Sequence, residues 1–328
     1  MRGSYHLIVQ SAHLKYELDL KRNITVIQGD SATGKTTLAD MIREYILNGS
    51  DTGITISCKV KCRLIEGNTW KEQLESIVGS IVFIDEGNKF VASKEFADAI
   101  KNSDNYYVII TRESLNTLPY SVNEIYGIHS SGKYNSLEPV YHSLYRIYGD
   151  DECKVSDIKN IIVEDSNSGY QFFKHLSGER INCLSANGKD KIFTLLMDKS
   201  ITGSILVIAD GAAFGSQMAR VHELISRESD ISLYLPESFE WILLDSDVLD
   251  DADVRQILEN PENYIDSEQY FSWERFFTNL LIEKSADTYL KYNKSTLNDN
   301  YLQKKIAQKI VGDLPKAIKD TLGLRVNI

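Results

Sequence analysis

Residues 24–37 read ITVIQGDSATGKTT, and the fold of the first half follows from how they are understood. ITVIQGD is a compact apolar run closed by Gly-Asp, the pattern of a strand buried on both faces of a parallel sheet. Residues 29–36 then fit G-x-x-x-x-G-K-[ST] at every fixed position. Residues 36–48, TTLADMIREYILN, place Leu38, Met41, Ile42, Tyr45 and Ile46 on one helical stripe. Strand, glycine loop and helix form the context this spacing requires.

Each fixed residue has a chemical reason. Gly29 and Gly34 supply backbone torsions that let the chain wrap an anion. The amides of Asp30, Ser31, Ala32, Thr33 and their neighbours can then cradle phosphate oxygens. The helix start, through Thr37, adds its positive end. Lys35 is placed to neutralise the β- and γ-phosphates, and the Thr36 hydroxyl to sit on Mg²⁺. The competing reading is a strand–turn–helix with a surface lysine.

Two later strand ends complete the pattern. SIVFIDEG (80–87) closes a buried apolar strand with Asp85, suited to hold Mg²⁺ through water, and Glu86, suited to polarise an attacking water as general base. NYYVIIT (105–111) ends at Thr111 and Arg112. In a parallel sheet this end lies beside the phosphate site. Thr111 is placed to sense the γ-phosphate or hold water. Arg112 is placed to stabilise transition-state charge, in its own subunit or a neighbour.

These residues resemble the P-loop ATPases of the AAA and ABC type. With the strands before the loop, LKYELDLKRNITVIQGDSATGKTTL (14–38) is most similar to ABC-type and OLD-family ATPase heads. The resemblance implies ATP binding and hydrolysis with Mg²⁺, driving a change of shape. Only 49 residues separate Lys35 from Asp85, and no LSGGQ-like stretch occurs. That argues against a transporter subunit.

The remaining pattern alternates. ITISCKVKCRLI (54–65) reads as a strand or hairpin, WKEQLESIV (70–78) as a helix, and SKEFADAIKNS (93–103) as a helix capped by Ser93. The Ser- and Tyr-rich stretch 129–157 breaks the rhythm, and a boundary is expected near 145–157. A second series follows: strands at 158–165, 181–186, 204–210 and 231–236, with helices between. The expected fold class is α/β: two parallel-sheet domains, 1–150 and 151–250, with a helical C-terminal region, 251–328.

In the second series Glu164, Asp210, Glu237 and Glu240 fall at or after strand ends, where carboxylates gather on one sheet edge and suit Mg²⁺. This half resembles the Toprim domain of topoisomerases, primases and OLD-family nucleases. The resemblance implies metal ligation by Glu164, after the first strand, and by Asp210, the first Asp of an Asp-x-Asp. Lys189 matches a Gly-Lys of OLD-type domains. The second Asp is replaced by Ala212, which removes a ligand. Asp165, Glu237, Asp245 and Asp247 are the carboxylates available to substitute. The aromatics Phe214, Tyr234, Phe239 and Trp241 read as core more readily than as a base-stacking surface.

Composition excludes other classes. With 36 Lys and Arg against 47 Asp and Glu, the net charge of −11 argues against a nonspecific nucleic-acid coat, while leaving a local basic groove open. No apolar run approaches membrane-spanning length and the start lacks a signal-peptide pattern, so a cytoplasmic protein without membrane contact is expected. Cys58 and Cys62 are four apart with no second pair at zinc spacing, so free thiols are expected.

Three functions fit these features. The first is an ATPase coupled to a Toprim-like domain acting on DNA or RNA; by analogy its architecture fits phage-defence or mobile-element proteins. The second is an ATP-gated switch that holds domains, a homo-oligomer or a partner protein together. The third is a small-molecule kinase.

Overall fold

The computed structural model describes residues 1–29, 33–131, 140–149, 157–228 and 230–323. They form a mixed α/β protein with a large, mostly parallel sheet and a helical C-terminal region. The chain divides into two units, Met1–Gly149 with Asn260–Phe271, and Asp150–Glu259 with Ser272–Ile328. The helices expected as a separate region after residue 250 therefore belong largely with the second sheet. Residues 260–271 return to the first unit. Backbone and side-chain bonds hold them there: Gly3 N to Glu262 O (2.7 Å), Lys21 to Glu262 (3.2 Å) and Asn23 Nδ2 to Phe271 O (3.0 Å).

In the first unit the elements are β1 (Tyr5–Gln10), β2 (Leu14–Leu20), β3 (Ile24–Ile27), α1 (Lys35–Asn48), β4 (Thr55–Ser57), β5 (Lys61–Leu64), α2 (Trp70–Glu75), β6 (Ser80–Ile84), α3 (Lys94–Ile100), β7 (Tyr106–Ile110), β8 (Ile125–Ser131) and β9 (Val140–Arg146). The sheet order is β4-β1-β2-β9-β8-β3-β7-β6-β5. From β8 to β5 all neighbours are parallel. β9 turns back antiparallel on β8 and runs parallel to β2, and β1 and β4 complete an antiparallel flank. β8 and β9 lie in and beside the stretch 129–157, whose Ser- and Tyr-rich composition carries no clean strand period.

The segment 54–65 is neither one strand nor a hairpin. β4 and β5 are the two opposite edges of the nine-stranded sheet. Laid flat, those edges would stand about 38 Å apart at ~4.8 Å per strand. The chain from Ser57 to Lys61 can span at most about 14 Å. The sheet is therefore rolled, and α1 fills the roll. Leu38, Ala39 and Ile42 of α1 are fully buried in one core with Leu7, Val9 and Leu18 of the antiparallel flank and Ile81, Phe83 and Val108 of the parallel side. Each such aliphatic side chain contributes roughly 1.5–3 kcal/mol on burial. Outside this core, Trp70 stacks on Phe90 (5.0 Å), and Phe96 packs edge-on against both and against Tyr107.

In the second unit the elements are β10 (Asn160–Val163), α4 (Ser168–Ser177), β11 (Asn182–Ser185), α5 (Lys189–Leu196), β12 (Ile205–Ile208), α6 (Gly215–Arg227), β13 (Ile231–Tyr234), α7 (Phe239–Asp245), α8 (Ala252–Glu259), α9 (Trp273–Ser285), α10 (Lys304–Gly312) and α11 (Lys316–Gly323). The four strands are parallel, in the order β11-β10-β12-β13. The chain steps outward from β10 to β11, then crosses to β12 and β13 on the other side. The direction reverses between β10 and β12, and a crevice opens there at the carboxyl ends. Phe214 and Phe239 are core residues, as expected.

Because α1 is enclosed, truncating it is costly. Ile42→Ala is expected to destabilise the first unit by about 2–5 kcal/mol. Hydrogen exchange should show lost protection in α1 and the strands around it; unchanged protection would contradict the enclosed position.

Candidate functional site

The loop after β3 enters α1 through left-handed glycine. Gly29 has φ +126° and Gly34 φ +92°. At Gly34 a side chain has no room, since a Cβ would lie 2.8 Å from Tyr16 Oη and 3.2 Å from His142 Cε1. The Tyr16 hydroxyl donates to Gly34 O at 2.9 Å, and its ring stacks on His142 with centroids 4.3 Å apart. His142 Nδ1 is in turn 2.7 Å from Ser130 Oγ. The antiparallel flank thus supports the start of α1 from below.

Lys35 is buried, and its ammonium donates to Gly29 O (2.7 Å) and Thr33 Oγ1 (3.0 Å). Thr36 is exposed and Thr37 half-buried. Asp30, Ser31 and Ala32 lie outside the described residues.

β7 lies directly between β3 and β6, so the three carboxyl ends follow one another along the sheet. Thr111 N bonds to Ile27 O (3.1 Å), which fixes the end of β7 beside the loop. Its hydroxyl accepts from Glu113 N (3.0 Å). Asp85 is largely buried and faces α1, with Oδ2 3.7 Å from Arg43. Burial pushes its carboxyl above the usual range, against the pull of the Glu86 N–H and Arg43. The expected base, Glu86, and the expected charge stabiliser, Arg112, are bonded to each other at 2.7 Å. This pair is well exposed, so it adds roughly 0–1 kcal/mol to stability and can be exchanged for other partners.

In the second unit the crevice between β10 and β12 holds the carboxylates. Glu164 follows β10 and Asp210 lies two residues after β12. Asp210 N donates to Glu164 Oε2 (3.0 Å), while Asp210 Oδ1 accepts from Phe239 N (3.2 Å). Gly211 makes this turn possible, because a Cβ there would lie 2.4 Å from Leu235 O. Asp165 turns aside to accept from Tyr170 N (2.8 Å). Lys189, at the start of α5, reaches Ala213 O (2.7 Å). Ala212 is buried.

Two participants lie where sequence spacing gave no signal. Glu274 of α9 is close enough to raise the pKa values of Glu164 and Asp210. Lys294 sits 2.6 Å from Glu274 Oε1 and 3.8 Å from Glu240 Oε1. Glu240, on α7, is buried and accepts from the Tyr292 hydroxyl (2.9 Å). Burial works against the Lys294 charge, but Glu240, Glu274 and Asp210 outweigh it and hold the pKa up. Burial pushes the Glu164 carboxyl up to about 7, and raises Asp210 well above its ordinary value. Asp247 and Asp250 are tied to Arg255, and Asp251 and Asp253 to Lys284.

The donor set of Glu164, Asp210, Glu240 and Glu274 is all carboxylate oxygen, the chemistry of a hard divalent cation. Among the described residues, however, no three His, Cys, Asp or Glu side chains stand in metal-holding geometry. Lys294 already supplies a positive charge among them. Among the described residues, too, no helix is long and apolar enough to cross a membrane.

No protein-family model matches the chain, and no curated protein sequence matches it.

The raised Glu164 and Asp210 pKa values set a pH dependence. Between the unfolded carboxyl value and about 7 the folded unit binds more protons than the unfolded chain, so stability falls as pH rises through that window. Thermal unfolding from pH 5 to 8 should show a decline in the wild type that is shallower in Glu164→Gln. Parallel declines would contradict the burial of this carboxyl.

Proposed function

We propose that the first unit binds ATP at the loop between β3 and α1 and hydrolyses it with Mg²⁺. The observation that carries this reading is the placement of buried Lys35 directly after left-handed Gly34, at the start of an enclosed helix, with its ammonium turned back onto the carbonyl of left-handed Gly29. The fit to a P-loop ATPase is supported by the ends of β7 and β6 following alongside. In this reading Lys35 leaves Gly29 O and Thr33 Oγ1 for the phosphate oxygens, and the loop amides complete the cradle. Thr36 and Asp85 would hold Mg²⁺, which supplies charge neutralisation of the phosphates when bound. Arg112 moves from Glu86 to the charge developing on the transferred phosphoryl group. Glu86, released, takes the proton of the attacking water.

The second unit we read as a Toprim-like domain acting on nucleic acid. The reversal of strand order between β10 and β12, with Glu164 and Asp210 at its mouth, supports this. Glu164 and Asp210 are the carboxylates such a domain would present there, although among the described residues no third carboxylate joins them in metal-holding geometry. A second reading, a nucleotide-gated switch that cuts nothing, is favoured by Ala212 and by Lys294 on Glu274.

Lys35→Ala is expected to weaken ATP binding by about 10–100-fold and to abolish turnover, measured by calorimetry and phosphate release. Unchanged binding and turnover would refute the reading. Glu86→Gln should keep ATP binding and lower turnover by about 10²–10⁴-fold. For the second unit, incubation of the full chain with Mn²⁺ and single- or double-stranded DNA separates the two readings. Cutting that is lost in Glu164→Ala supports the nuclease. No cutting, with ATP-dependent dimerisation, supports the switch.

A further inference from the structure

Cys58 directly follows β4, and Cys62 is the second residue of β5. They stand where the two edges of the rolled sheet are joined by a link of three residues, 58–60. Both side chains pack against the one core inside the roll and interact with each other across the three-residue link. The backbone N–H groups of Lys59 and Val60 and the His6 ring lie near enough to favour negative charge on Cys58. Both cysteines are half-buried rather than sealed, whereas Cys183 is buried.

We propose that Cys58 and Cys62 are a peroxide-sensitive dithiol, oxidised to a disulfide that fastens the two edges of the rolled sheet. Cys58 is the attacking sulfur and Cys62 the resolving one. The Cys58 thiolate attacks one oxygen of a hydroperoxide. An S–O bond forms, the O–O bond breaks, and the departing hydroxide or alkoxide takes a proton from water. Cys62 then attacks the Cys58 sulfenic sulfur. The S–S bond forms, the S–O bond breaks, and hydroxide leaves with the Cys62 proton as water. Two thiols lose two electrons, and the hydroperoxide gains them.

The protonation balance supports this order. Cys62 and the N–H groups beside Cys58 bring its thiol down to about 6, while Cys58 and burial push the Cys62 thiol up. Cys183, desolvated, is raised to about 11 and serves as an internal control. Tyr5, His6 and Arg63 are the titratable groups that face the pair.

The test uses the full chain and hydrogen peroxide at equimolar dose. The expected result is a loss of about 2 Da on a peptide spanning 54–65, reversed by dithiothreitol. Thiols titrated in denaturant fall from four to two. In Cys62→Ser the reaction stops at a Cys58 sulfenic acid, trapped by dimedone, while Cys58→Ser reacts at least ~10-fold more slowly. If Cys58 and Cys62 both stay open to alkylation, or pair with other cysteines, the proposal fails. Should either serine variant misfold, the wild-type peptide map decides alone.

Discussion

The apolar stripe of α1, Leu38, Ala39, Met41 and Ile42, has to be covered on more than one side, and in the first unit the sheet does this by rolling around it. A flat sheet would bury one face of the helix and leave β4 and β5 too far apart for the link between them. Once the roll is formed, the start of α1 is fixed from both directions. β3 delivers the loop, and Tyr16 and His142 of the antiparallel flank close against Gly34 from the far side. That contact requires a residue without a Cβ in left-handed backbone. The glycine that suits an anion cradle is thus also the one that packing demands.

The second unit answers a different constraint. A reversal in the order of parallel strands opens a crevice, and Glu164 and Asp210 are carried into it by the ends of β10 and β12. Carboxylates placed together away from water favour the protonated form unless a cation joins them. Lys294 and Lys189 partly meet that need from the protein itself. Glu274, from the helices after the sheet, adds further negative charge near Glu164 and Asp210.

Much of the fold was legible in the sequence because its strands are buried runs with unmistakable ends. ITVIQGD, SIVFID and NYYVIIT are all interior strands of the rolled sheet, and the strands expected in the second half appear within a residue or two of their expected ends. What stayed hidden was non-local. The split of 54–65 between opposite sheet edges depends on curvature, which a local pattern does not encode. β9 hides its alternation because polar His142 is buried while Tyr141 and Tyr145 are exposed. Glu274 lies near Glu164 across more than a hundred residues, and Lys294 near Glu240 across more than fifty, so no spacing rule connects them. Similarly, the bond between Glu86 and Arg112 could not be read from two strand ends, although the positions of both ends could.

The central claim is that the carboxyl ends of β3, β7 and β6 act together on one nucleotide. Hydrogen exchange of the full chain with and without Mg²⁺ and a non-hydrolysable ATP analogue tests it most directly. The account expects slowed exchange in residues 29–37 together with 85–86 and 111–113, with the antiparallel flank changing least. Protection confined elsewhere, or none at saturating nucleotide, would contradict it.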